Sequence, residues 1–138
     1  MKSTGKLART FFSKTTMAKH NNIGKEGELI AQKHLKNLDY KILHTNWVCN
    51  KNELDIVAVK NNSLIVVEVK SRSSEHFGQP KDAITAAKIK RIVQATNDYI
   101  QQFEIDLEVR FDVMSIIMKD DEEFSIEHIK DAFLPPNE

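Results

Sequence analysis

The sequence predicts a single α/β domain in which helices flank a central mixed sheet. Two segments have the apolar spacing of amphipathic helices, and five short runs have the alternating or β-branched character of strands. Their order along the chain is αβββαββ, without an internal repeat. The length of 138 residues is that of one domain.

The predicted domain begins at residue 22 and extends to residue 138. Residues 1–21 are basic, rich in Ser and Thr, and lack helix or strand periodicity apart from the pair Phe11-Phe12. Three interpretations of this N-terminal extension stay open: a non-native or upstream-start segment ahead of Met17, an arm that contacts phosphates, and an organelle-targeting peptide.

The first helix is predicted from residue 22 to about residue 38, where leucine and isoleucine recur at near-helical spacing. The alternating segment Tyr40–Val48 predicts a strand, and Leu54–Val59 and Leu64–Lys70 predict two more. The strands Leu54–Val59 and Leu64–Lys70 have apolar residues at successive positions, which is typical of strands buried on both faces. The later elements are a polar loop, a longer amphipathic helix and two strands: Ser71–Pro80, Lys81–Phe103, Val109–Met118 and Phe124–Ile129.

The dipeptide Asn61-Asn62 predicts the register of the two central strands. Asn tolerates the left-handed conformation that a two-residue type I′ hairpin needs at both central positions. Such a turn pairs Lys60 with Ser63, and pairing then continues outward. The outer pairs are Val59 with Leu64, Asp55 with Glu68, and Glu53 with Lys70. Asp55 and Glu68 are therefore predicted to be neighbours, with Lys70 two residues further along the same face.

Composition excludes several classes of protein. With 20 basic and 20 acidic residues and 41% hydrophobic residues, the chain is neither a disordered polyelectrolyte nor a wholly basic nucleic-acid-binding module. No apolar run approaches the roughly 20 residues that span a bilayer, so no membrane association is expected. The single Cys49 excludes an internal disulfide and favours a reducing, cytoplasmic location.

The zero net charge conceals an uneven distribution. Residues 1–25 carry +6, residues 26–97 carry +3, and residues 98–138 carry −9. Because the local field decides whether a phosphate backbone can dock, a nucleic-acid partner remains compatible with this sequence.

Facing carboxylates at the end of a buried hairpin indicate a cation site. Asp55 and Glu68 repel each other unless positive charge lies between them, and Mg²⁺ takes oxygen ligands of this kind. The structural alternative is that Glu68 and Lys70 are only the solvated end of a strand, with Asp55 paired to a nearby lysine. Arg110 and Asp112 are predicted to form an ion pair that holds a strand end.

Five motifs occur in one order along the chain. They are Gly24-Lys-Glu-Gly-Glu28, Asn52-Glu-Leu-Asp-Ile56, Val67-Glu-Val-Lys-Ser-Arg72, Phe77-Gly-Gln-Pro80 and Arg110-Phe-Asp112. This series resembles the uncharacterised bacterial YraN family, placed in the restriction-endonuclease-like superfamily of PD-(D/E)xK nucleases. It is also similar in layout to archaeal Holliday junction resolvases. The resemblance covers about residues 22–131 and implies a restriction-endonuclease-like αβββαβ core. One departure is Asn52, where the family usually has Gly.

The resemblance also implies a phosphodiesterase site that depends on Mg²⁺ or Mn²⁺. Asp55 and Glu68 match the family's metal-binding acids, and Lys70 matches its catalytic lysine. Glu28 matches the helix-borne glutamate that completes the cluster in resolvases. The residues expected to contact nucleic acid are Arg72, Lys88 and Arg91.

The resulting functional prediction is a metal-dependent endonuclease that hydrolyses phosphodiester bonds in DNA, including branched or damaged DNA. The alternative is a catalytically silent module that binds nucleic acid or a protein partner on the same fold. A third reading is a structural protein that uses its acidic C-terminal third for contacts. Similarity to resolvases, which act as dimers, leaves a homodimer open.

Overall fold

The structure, a computed structural model, describes residues 19–73, 84–119 and 123–135. These residues form two helices and five strands in the predicted order αβββαββ. The elements are α1 (Lys19–Asn37), β1 (Lys41–Cys49), β2 (Asn52–Lys60), β3 (Ser63–Ser73), α2 (Ala86–Phe103), β4 (Glu108–Met118) and β5 (Phe124–Ile129). The predicted α/β class with a mixed sheet is confirmed.

All five strands belong to one sheet with the spatial order β1-β2-β3-β4-β5. The pairs β1-β2, β2-β3 and β4-β5 are antiparallel, whereas β3 and β4 are parallel. A parallel pair needs a crossover connection, and α2 lies in the chain segment that makes it.

The turn between β2 and β3 has the predicted geometry. Asn61 and Asn62 have φ angles of 50° and 65°, the left-handed values that a type I′ turn requires. The predicted register is confirmed from Lys60–Ser63 to Ile56–Val67, where the regular pairing ends.

The helices cover opposite faces of the sheet because β3 presents alternate side chains to each of them. Fully buried Ile65 belongs to the apolar cluster that contains Leu35 of α1. Its neighbour Leu64, also fully buried, belongs to the cluster that contains Tyr99 of α2. Glu68 has the same alternation as Leu64, so it lies on the face covered by α2.

The three largest differences from the predicted boundaries are at α1, β3 and α2. Helix α1 begins at Lys19 rather than near residue 22, and β3 extends to Ser73, because its backbone remains paired with β4 as far as Met118. Helix α2 begins at Ala86, not at Lys81, because Thr85 has extended dihedral angles and caps the helix. Residues 1–18 and 74–83 lie outside the described residues, and with them most of the predicted extension and loop.

A buried ion-pair network holds β4 against β5. Asp112 is fully buried, and its carboxylate accepts hydrogen bonds from Arg110 Nε at 2.9 Å, Arg110 Nη2 at 2.8 Å and the Asp131 N–H at 2.9 Å. His128 Nε2 lies 2.7 Å from the same carboxylate. The predicted pairing of Arg110 with Asp112 is confirmed, and a histidine that the sequence did not connect with them joins the network.

Neither helix in the described part of the chain has the length and hydropathy needed to cross a membrane.

Candidate functional site

The candidate site lies where β2 and β3 cease to pair. Beyond Ile56 and Val67 the next residues are Asp55 and Glu68, and the Val69 N–H donates a hydrogen bond of 2.9 Å to Asp55 Oδ2. This bond diverts the Val69 N–H from main-chain pairing. The predicted continuation of the ladder towards Lys70 was therefore wrong.

Burial gives the two acids unusual protonation behaviour. Glu68 is only 6% exposed. Desolvation, followed by the negative charge of Asp55, raises the pKa of Glu68 to about 7. Desolvation also raises the pKa of Asp55, although the hydrogen bond from Val69 and the charge of Lys88 oppose this shift. A side-chain hydrogen bond with Glu68 also lowers the pKa of Asp55.

Two lysines supply positive charge to this pair. Lys88 Nζ lies 3.4 Å from Glu68 Oε2, and Lys70 exerts a weaker electrostatic effect on the pKa of both acids. The first turn of α2 positions Lys88, since its backbone N–H donates to Thr85 Oγ1 at 3.1 Å. Lys88, predicted to contact nucleic acid, thus forms an ion pair inside the candidate site.

Glu28 reaches the edge of the same site from α1. Its pKa is raised by desolvation and then by the charge of Asp55, while a side-chain hydrogen bond with Asn46 lowers it. The preceding residue, Gly27, lets the helix approach β3 closely: a Cβ atom there would lie 1.7 Å from Ser71 Oγ. Helix α1 therefore needs a glycine beside Glu28 to hold this position.

The remaining predicted contacts are at the margins of the site. Arg72 is half-buried on β3, two residues beyond Lys70, and Arg91 is exposed on α2, one turn beyond Lys88. The structure thus places Asp55, Glu68 and Lys88 together, with Glu28 and Lys70 within electrostatic reach.

Two residues near the site were missed from the sequence. Asn46 has a φ of 52° and bonds to Glu28, and Ser115 is paired with Lys70 in the sheet. Ser115 is 2% exposed, and among the described residues its Oγ has no hydrogen-bond partner. For Asn46, the tolerance of Asn for positive φ was a weak sign of an unusual backbone position. For Ser115, a serine within a strand gave no sign of a functional role.

The donor set fits a hard divalent cation with few protein ligands. In the described residues, no three or more His, Cys, Asp or Glu side chains form a group able to hold a metal ion. Two carboxylates are nevertheless enough for Mg²⁺, which usually keeps several waters and takes one or two protein carboxylates together with substrate phosphate. The desolvation of both acids and the charge that Asp55 exerts on Glu68 favour such a cation.

We expect the stability of the metal-free protein to fall as the pH rises from about 4.5 to about 7, the ordinary and folded pKa values of Glu68. Over this range the folded chain binds more protons than the unfolded chain, so the free energy of unfolding decreases by roughly 2–3 kcal/mol. Urea unfolding in EDTA at several pH values measures it. Glu68→Gln removes this titration, so a slope that is the same in both proteins would refute the assignment.

The fold and the site together define a mixed α/β protein with a carboxylate pair, buried Glu68 and half-buried Asp55, at the open end of its central hairpin. Comparison with known sequences then identifies the family to which the protein belongs. The profile of the family described as "Uncharacterised protein family UPF0102" matches residues 27–116. The chain belongs to this family, which confirms the family resemblance seen in its motifs.

Relatives in this family match almost their whole length. A UPF0102 protein of Phocaeicola vulgatus is 50% identical over 120 residues, covering 87% of this chain and 98% of the relative. One from Bacteroides fragilis is 52% identical with the same coverage. One from Flavobacterium psychrophilum is 48% identical over 117 residues, covering 85% of this chain and 98% of the relative.

Proposed function

We propose that this protein is a metal-dependent endonuclease of the restriction-endonuclease-like PD-(D/E)xK superfamily that hydrolyses phosphodiester bonds in DNA. One observation carries the proposal: half-buried Asp55 and buried Glu68 come together where the central hairpin opens, and the charge of Asp55 raises the pKa of Glu68. A pair of desolvated acids is costly for the fold unless a cation uses it. Lys70, two residues after Glu68, completes the spacing that the superfamily uses.

Each residue has a role that follows from its chemistry. Asp55 and Glu68 would hold Mg²⁺ or Mn²⁺, which when bound polarises a phosphoryl oxygen and acidifies a water. Lys70 would orient the attacking water and stabilise negative charge on the phosphorus centre. Glu28 would accept a proton, and the raised pKa that burial gives its carboxyl makes it a better base than an exposed glutamate.

The DNA would be held by cations around the site. Arg72 on β3 and Lys88 and Arg91 on α2 lie on the elements that border the carboxylate pair, so each is suited to contact phosphates. A cytoplasmic location, and a homodimer like those of resolvases, are part of the same proposal.

A cleavage panel tests the activity. Linear, nicked, flapped and four-way-junction DNA are incubated with the protein in Mg²⁺, in Mn²⁺ and in EDTA, and products are resolved on denaturing gels. We expect cleavage of at least one branched or nicked substrate with either metal and none in EDTA. Absence of cleavage on all four substrates with both metals would contradict the proposal.

The alternative of a catalytically silent binding module is favoured by one specific observation. Lys88 already neutralises part of the charge on Glu68, so the pair has a counter-ion without any metal. A silent module would bind the same DNA substrates with equal affinity in Mg²⁺ and in EDTA and would release no product.

A further inference from the structure

Lys88 holds the place that a cation would take beside Glu68. Its Nζ atom lies 3.4 Å from Glu68 Oε2, and its charge acts on Asp55 as well. The two partners differ in accessibility, because the side chain of Glu68 is 7% exposed and that of Lys88 is 37% exposed. The carboxylate is therefore fixed in the protein, whereas the ammonium group can move towards water on its flexible stem.

The position of Lys88 is not explained by the preferences of its helix. Lys88 lies in the first turn of α2, where the helix dipole favours negative charge and disfavours a cation. This first turn contains no acidic residue, so no neighbour in it compensates the lysine. A residue that breaks a local rule usually serves the site that it contacts, and here that contact is Glu68.

We infer that Lys88 is an internal counter-cation of the carboxylate pair, and that a divalent metal ion displaces it from Glu68. The inference rests on the proposed function, because it takes Asp55 and Glu68 to be metal ligands. The ammonium group and the metal ion compete for the same oxygen of Glu68, so Lys88 weakens metal binding while it stabilises the metal-free protein. The metal concentration at which the site fills is thus set partly by this lysine.

The test compares Lys88→Met with Lys90→Met, a matched variant that removes the same charge from an exposed position on the same helix. Binding of Mg²⁺ alone is measured by isothermal titration at pH 9, where proton competition at the carboxylates is small. We expect Lys88→Met to bind Mg²⁺ about tenfold more tightly than the unchanged protein. Lys90→Met should stay within about twofold of the unchanged protein.

A second readout measures the metal-free state. In EDTA at pH 9, Lys88→Met should unfold at a lower temperature than Lys90→Met, because the acid pair has lost the cation that lies 3.4 Å from Glu68 Oε2. Saturating Mg²⁺ should remove this difference. Lys88→Gln, which keeps a polar side chain, should behave as Lys88→Met in both measurements.

Failure of the inference and failure of the proposed function give different results. If the unchanged protein binds no Mg²⁺, or if Asp55→Asn binds as well as the unchanged protein, both the proposed metal site and the inference are overturned. If Asp55→Asn loses binding but Lys88→Met binds with equal or lower affinity than Lys90→Met, only the inference is overturned.

Discussion

Replacement of Asp55 by Asn is expected to reduce Mg²⁺-dependent DNA cleavage by about 1000-fold, the upper range for loss of one preorganised group that stabilises a transition state. Asn keeps the shape of the side chain and can still accept the hydrogen bond from Val69. It removes the negative charge that would hold the cation. Single-turnover cleavage of the best substrate from the panel, with enzyme in excess, measures the loss directly.

The same substitution should leave the fold intact or make it slightly more stable. An uncharged amide no longer repels Glu68, and it avoids the desolvation that now raises the pKa of Asp55. The matched control is Asp106→Asn, which removes one charge from an exposed loop position. Undiminished cleavage by Asp55→Asn, with Asp106→Asn equally active, would remove Asp55 from the site.

Replacement of Asp112 by Ala is expected to destabilise the protein by about 3–5 kcal/mol, the usual cost when one partner of a buried ion pair is removed. Arg110 would keep its charge with no carboxylate beside it, and the Asp131 N–H would lose its acceptor. Urea unfolding at pH 7 measures this loss, and an exposed substitution such as Asp106→Ala should change stability by less than about 0.5 kcal/mol.

The pH dependence of this network runs opposite to that of Glu68. Burial alone would raise the pKa of Asp112, but hydrogen bonds from His128, Arg110 and the Asp131 N–H outweigh it and lower the pKa to about 2 from an ordinary 3.8. The stabilisation is therefore complete above pH 4 and is lost as the pH falls towards 2. If Asp112→Ala and the unchanged protein lost stability equally over that range, the network would not be the cause.

The fold was predictable because its signals are local. Asn61 and Asn62 fixed the register of the central hairpin through their own backbone preference, and the β-branched runs on either side of them could only be buried. The start of α2 was not predictable in the same way. The sequence is compatible with a helix that starts at Lys81 or just after Thr85. The start after Thr85 depends on the hydrogen bond that its side chain accepts from the Lys88 N–H, which composition does not reveal.

The part of the site that lies on the β2-β3 hairpin was predictable from the sequence. The part that α2 contributes was not. The register of the hairpin alone predicted that Asp55 lies near Glu68. The ion pair of Lys88 with Glu68 depends on how α2 packs across the sheet. Asn46 and Ser115 likewise come from strands whose positions beside the site are set by tertiary pairing. No spacing along the chain encodes such neighbours.

The mixed direction of the sheet has a consequence for the order in which the molecule folds. The β2-β3 hairpin closes through a two-residue turn, an event that takes microseconds in small hairpins. The parallel pairing of Ser63 with Glu108 must wait for a long crossover to close, which is slow because distant segments have to meet. We therefore expect the two acids to come together early in folding, and the lysine from α2 to reach them only when the crossover has been completed.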